Sequence, residues 1–176
     1  MKIVVRTLLA LLVVVVALTA IAYALPSRYA VARSIDIEAP PSKIYPLVAE
    51  TSAWKRWSAW NQRDPSMRIV YAGPPSGVGA QWKWQSASEG NGEMTFTAAE
   101  PDRRLDYRLF FADFDSTATG AIVFDPLSAT TTRVTWTNQG DLGNNPIMRW
   151  MGLAMDRMVG NDFAIGLANL KALAVQ

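Results

Sequence analysis

From Pro146 to Gln176 the apolar positions fall at helical spacing. Met151, Met155, Met158, Val159, Phe163, Leu167, Leu170 and Leu173 recur at steps of three and four, with Arg149, Asp156, Arg157, Asn161, Asp162, Asn169 and Lys171 mostly between them. Side chains at i, i+3 and i+4 share a face, so the spacing predicts a helix with one apolar stripe. Pro146 suits its first turn, and Asn144 or Asn145 is placed to cap the free N–H groups there. If continuous, the helix is about 40 Å long and needs a broad apolar surface to lie against.

The middle of the chain offers that surface. Tyr29 to Glu38 alternates, with Val31, Ile35 and Ile37 opposite Ser34, Asp36 and Glu38, the pattern of a half-buried strand. Arg33 interrupts the apolar side and is expected near an open end. Ala39-Pro40-Pro41 stops the strand before a short helix through Ile44, Tyr45, Leu47 and Val48. Pro46 lies inside that helix, which must be short, kinked or late to begin. Thr51-Ser52 reads as the cap of a second short helix carrying Trp54 and Trp57, with Trp60 just beyond.

From Met67 the period is two: Met67, Ile69, Tyr71; Trp82, Trp84; Met94, Phe96, Ala98; Leu105, Tyr107, Leu109, Phe111; Ala118 to Phe124; and Val134 with Trp136. Turns are expected at Gly73–Gly79, at Asn91-Gly92 as a tight hairpin, at Glu100-Pro101-Asp102 and at Asp113–Ser116. Short strands with no helix between them predict an antiparallel meander, greasy on one face. The fold class is therefore α+β: a curved antiparallel sheet wrapped around the C-terminal helix, with a hydrophobic cavity between them.

Ile3 to Leu25 is almost wholly aliphatic, about 35 Å as a helix and enough for a bilayer's hydrocarbon core. A retained anchor is favoured over a cleaved signal peptide with Ala22-Tyr23-Ala24 as its cleavage site. The apolar run outlasts a usual signal core and ends in Leu25-Pro26. The expected division is a membrane segment over residues 1–26 and one folded domain over 27–176, single-pass, with the domain most simply extracytoplasmic and a cytoplasm-facing domain as the alternative. Lys2 and Arg6 before the segment are answered by Arg28 and Arg33 after it, so charge orients it only weakly.

Composition narrows the chemistry. The net charge is +2 with bases and acids interspersed, which gives no nucleic-acid footprint. There is no cysteine and no histidine, which removes thiol catalysis, thiolate metal sites, the commonest general base and the commonest zinc ligand. No metal site or cofactor is expected. Gly73, Gly77 and Gly79 are not followed by the Lys-Ser or Lys-Thr of a phosphate loop. Asp113 and Asp115, either side of Phe114, read as a solvated hairpin tip rather than a calcium site.

The run Met155-Asp156-Arg157-Met158-Val159-Gly160-Asn161-Asp162-Phe163, continuing Gly166-Leu167-Ala168-Asn169-Leu170-Lys171, resembles the C-terminal helix of membrane-anchored members of the SRPBCC, or polyketide cyclase and dehydratase-like, superfamily. Ser34 to Pro40, Trp54 to Trp60, Gly77-Val78-Gly79 and Thr132 to Trp136 follow in that family's order, so the resemblance runs from about Tyr29 to the end. It implies the START-like helix-grip fold: a seven-stranded antiparallel sheet curled round a long C-terminal helix, with two short helices after the first strand. It also implies a cavity for lipids, sterols, polyketides or similar molecules.

Trp57, Trp60, Trp82, Trp84, Phe96, Tyr107 and Trp136, facing Met151, Met155 and Met158, are the expected ligand contacts. Methionine adapts to irregular apolar shapes and indole N–H groups supply the few polar handles; plain core packing is the competing reading for each residue. Asp156 and Asp162 are expected to pair with an arginine or cap a loop. Two functions follow: a membrane-tethered binder or carrier of a hydrophobic small molecule or lipid, or a cyclase or dehydratase using a pocket carboxylate or tyrosine. Polar side chains converging inside the pocket favour the second; a lining of hydrocarbon and indole alone favours the first.

Overall fold

The computed structural model describes residues 2–176. An N-terminal helix α1 (Lys2–Ala24) leads into β1 (Arg28–Ile37), α2 (Pro41–Ala49), a 3-10 segment (Thr51–Arg56) and the short α3 (Ala59–Arg63). Then come β2 (Arg68–Ala72), β3 (Gln81–Ser86), β4 (Gly90–Glu100), β5 (Arg104–Phe111), β6 (Ser116–Ser128), β7 (Thr131–Asp141) and the long α4 (Pro146–Ala174). The strands form one seven-stranded sheet in the order β1-β7-β6-β5-β4-β3-β2, antiparallel throughout. The first strand therefore pairs with the last, and the three short helical pieces bridge from one edge strand to the other. This is the helix-grip fold.

α4 begins where its cap residues dictate. The Asn145 side chain accepts a hydrogen bond from the Ile147 N–H at 3.0 Å, and Pro146, which has no N–H to leave unpaired, occupies the first turn. The C-terminal half buries Phe163, Leu167, Leu170 and Ala174 against the concave face, and Lys171 donates to the Asp36 carbonyl of β1 at 2.9 Å. Arg33, on the inward face of β1, reaches across to α4. Its guanidinium donates to the Asp156 carboxylate at 2.9 and 3.1 Å.

Some local expectations change. Pro46 is accommodated because α2 spans only nine residues. The second short helix is a 3-10 segment; three residues per turn brings Trp54 and Trp57 onto one side, with their rings 4.3 Å apart. The hairpin turn between β3 and β4 lies at residues 87–89 and not at Asn91-Gly92. Ser86 Oγ accepts from the N–H groups of Ser88 and Glu89 and closes the turn there. Gly92 is a strand residue whose lack of a side chain admits the Trp84 ring.

α1 is long and apolar enough to cross a membrane, and nearly all its side chains face outward. Its last turn is tied to the start of α4. Arg149 Nη1 donates to the carbonyls of Tyr23 and Leu25 at 3.0 and 3.3 Å, and Trp150 Nε1 donates to that of Leu18 at 3.3 Å.

Candidate functional site

Between the concave face of the sheet and the first half of α4 lies a cavity of about 260 Å³. Its inner end is an aromatic wall built around Trp136 of β7. Phe163 stacks on that indole at 4.0 Å, nearly parallel, while Trp54 and Trp60 meet it edge-on at 5.5 and 5.9 Å. These offset and edge-to-face arrangements follow from the ring quadrupoles and leave little freedom to collapse into the space. Along the roof, Met148, Met151, Met155 and Val159 step by three and four down α4. Trp82, Trp84, Met94, Leu109 and Phe111 form the side made by β3, β4 and β5.

The floor carries the polar groups. Tyr107 of β5 lies across Gly120 of β6, where any side chain would collide with its ring and with the Thr137 carbonyl. That crossing lets the Tyr107 hydroxyl donate to the Thr137 carbonyl of β7 at 2.7 Å. The same oxygen accepts from Trp136 Nε1 at 3.0 Å and from Asn138 Nδ2 at 3.4 Å. Tyr29 of β1 repeats the device: its ring crosses Gly140 of β7 and its hydroxyl donates to Asn138 Oδ1 at 2.9 Å. Two phenols, an indole N–H and one amide thus converge on a single patch of an otherwise apolar chamber. Burial pushes both the Tyr29 and the Tyr107 phenols above the ordinary value, so both are neutral hydrogen-bonding groups at physiological pH.

Carboxylates reach the cavity only at its margins. Glu89 is held by Arg63, Nη1 to Oε2 3.0 Å, and Arg63 also pairs with Asp162 of α4, so α3, the β3–β4 turn and α4 share one guanidinium. Asp141 lies at the other margin near Arg28. Asp156 and Asp162 both pair with arginines. Asp113 accepts from the backbone and side-chain N–H groups of Asn91 and so fastens the β5–β6 connection to β4.

Of the ten residues expected to touch a ligand, Trp60, Trp82, Trp84, Tyr107, Trp136, Met151 and Met155 line this cavity. Three do not. Trp57 is fully buried behind the wall, its Nε1 donating to the Leu47 carbonyl at 2.9 Å. Phe96 shares the inward face of β4 with Met94 but is packed beneath Trp54 and Trp82. Met158 precedes Val159 by one position, about 100° round the helix, and is 59% exposed on the outside. Sequence reasoning missed Tyr29, Asn138 and Phe163 as lining. For the first two a signal existed: by parity Tyr29 shares a face with Val31, and Asn138, a polar residue on a greasy face, shares one with Trp136.

Solved structures of the same architecture lie at low identity. A protein of Chromobacterium violaceum superposes with a TM-score of 0.60 at 16% identity, covering 82% of this chain and 96% of its own. A protein of Thermobifida fusca gives 0.61 at 22%, covering 81% and 90%. Norcoclaurine synthase of Thalictrum flavum, solved with dopamine and hydroxybenzaldehyde, gives 0.63 at 9%, covering 84% and 87%. Likeness at these identities is one of fold. No curated protein sequence matches the chain. The family model described as polyketide cyclase/dehydrase and lipid transport matches residues 28–175, which takes in every strand, α4 and the whole cavity lining; the chain belongs to that family.

Proposed function

We propose that this protein binds a small hydrophobic molecule in the chamber between its sheet and α4, at a membrane surface. The observation that carries the reading is the chamber itself, apolar on its roof and sides and polar at one floor patch. At about 260 Å³ it lies near the lower limit of small-molecule sites, roughly 300 Å³, which favours a compact ring system or a single acyl chain over a two-chain lipid. A hydrocarbon body with one hydroxyl or carbonyl matches what that patch leaves unused, the Tyr29 oxygen as acceptor and the second Asn138 Nδ2 hydrogen as donor, with Tyr107 holding Asn138 in place.

In this reading residues 1–26 cross the membrane once and residues 27–176 are the binding domain on the extracytoplasmic side. Support comes from the length and composition of α1; Lys2 and Arg6 at its head are matched by Arg28 and Arg33 after it, so the charges bear only weakly on its orientation. The full chain purified in detergent and extracted with organic solvent is expected to release an apolar compound detectable by mass spectrometry, and to take up an apolar fluorescent probe that the extract displaces. Absence of both release and uptake would end the reading.

The convergence of phenols and amide favours a second function, a cyclase or dehydratase acting on the bound molecule. Its force is limited by how those groups are engaged: the Tyr107 proton is committed to the Thr137 carbonyl and that of Tyr29 to Asn138. A reaction here would depend on orientation and exclusion of water more than on proton transfer.

A further inference from the structure

The outward face of the first half of α4 is apolar and uncovered. Ile147 is 68% exposed and Met158 59%, Ala154 lies on the same stripe, and Trp150 is turned toward α1. That face adjoins α1 directly, through the hydrogen bond from Trp150 to the Leu18 carbonyl. Leu18 lies six residues before the end of α1 at Ala24, about 9 Å back along the axis. If α1 crosses a bilayer, that level is roughly 7 Å inside the edge of the hydrocarbon layer, a depth to which the apolar face of an interfacial helix is buried. Arg149, bonded to the carbonyls of Tyr23 and Leu25 at the end of α1, then sits at headgroup level, where anionic lipids attract it.

We propose that the first half of α4, from Pro146 to Met158, lies in the interfacial layer of the bilayer, so that the chamber opens onto lipid rather than water. Met151 joins the two surfaces: it is 40% exposed beside this stripe and also lines the cavity. Phe114, 60% exposed at the β5–β6 connection, forms the opposite lip. An apolar ligand then passes from membrane to chamber without crossing water. This rests on the reading of α1 as a membrane-crossing helix and deepens the proposal that the chamber holds an apolar molecule.

The chain contains no cysteine, so single reporters need no background removal. Ile147→Cys, Ala154→Cys and Met158→Cys, with Ala129→Cys at the far β6–β7 turn as reference, are labelled with an environment-sensitive fluorophore. The full chain is reconstituted in phosphatidylcholine vesicles with phosphatidylglycerol as the minority lipid. The three α4 labels are expected to be blue-shifted, quenched by shallow doxyl lipids and shielded from iodide, with the reference quenched by iodide alone. Iodide quenching of the α4 labels equal to the reference overturns the proposal. So does shielding from iodide without quenching by doxyl lipid, which means that protein covers the face. Probe uptake in detergent, measured on the same proteins, separates the two readings: uptake with water-exposed labels sinks the interfacial seat and leaves binding standing, and lipid-seated labels without uptake do the reverse.

Discussion

Arg33 and Asp156 join the floor of the sheet to the roof helix by a two-pronged pair, Nη1 to Oδ1 at 2.9 Å and Nη2 to Oδ2 at 3.1 Å. Arg33 Nη2 also donates to the Asp156 carbonyl at 2.9 Å, and Gly160, one turn on, lacks the side chain that would obstruct the guanidinium. The pair sits just beyond the cavity roof, so it fixes how far α4 stands from β1. The hydrogen bonds from Arg33 hold the Asp156 carboxyl below its ordinary value of 3.8. A depressed carboxylate contributes stability that is complete above the ordinary value and lost as pH falls through the folded one. Thermal unfolding followed from neutral pH down to about 2 is therefore expected to show a shallower acid limb in Asp156→Asn than in the parent. Superimposable limbs would mean that the pair adds nothing to folding.

Gly140 and Tyr29 form a testable unit. Gly140→Ala drives a methyl into the Tyr29 ring and is expected to cost about 1–3 kcal/mol, or roughly 2–4 °C of Tm per kcal/mol for a chain of this size. In a Tyr29→Ala background the three nearest obstructing atoms are gone and the same change is expected to cost much less. Additive losses in the double variant would show that the ring does not lie where described.

Filling the roof should empty the site of ligand without unfolding the protein. Met155→Trp projects a larger side chain into the chamber, and uptake of an apolar probe is expected to weaken at least about tenfold, or 1.4 kcal/mol. Because Met155 is only half-buried, the Tm is expected to move little. A variant that binds as the parent does would move the binding site elsewhere.

The cap of α4 has its own signature. Asn145→Ala leaves the Ile147 N–H without its acceptor and is expected to cost about 1 kcal/mol, whereas Asn144→Ala, whose side chain meets Arg149 instead, is expected to cost less. Amide exchange in the first turns of α4 should rise in the first variant more than in the second.

The architecture was legible in the chain because its two periodicities do not overlap: most strands have an alternating face, and α4 has a long stripe bounded by Pro146. Depth was not legible. Trp57, Phe96 and Trp82 are alike in sequence, and only the crossing of the 3-10 segment over the sheet decides that the first two are packed behind the wall while the third faces the space. Asn91-Gly92 misled because its dipeptide suits a tight turn, yet the Ser86 hydroxyl closes the chain earlier and Gly92 is needed to seat Trp84. Met158 belongs to the helical stripe by spacing but falls on its outer side. The polar floor could not be assembled beforehand, since Tyr29, Tyr107 and Asn138 meet only through the pairing of β1 with β7, of β7 with β6 and of β6 with β5.

Only Leu25, Pro26 and Ser27 separate α1 from β1, a reach of about 10 Å even when fully extended, and Arg149 clasps that joint. If α1 crosses a membrane as proposed, a domain held so closely to it has no tether on which to swing. It would sit at one height and in one attitude, like a fixture rather than a ferry. Whatever receives a bound molecule would have to come to the same leaflet to collect it.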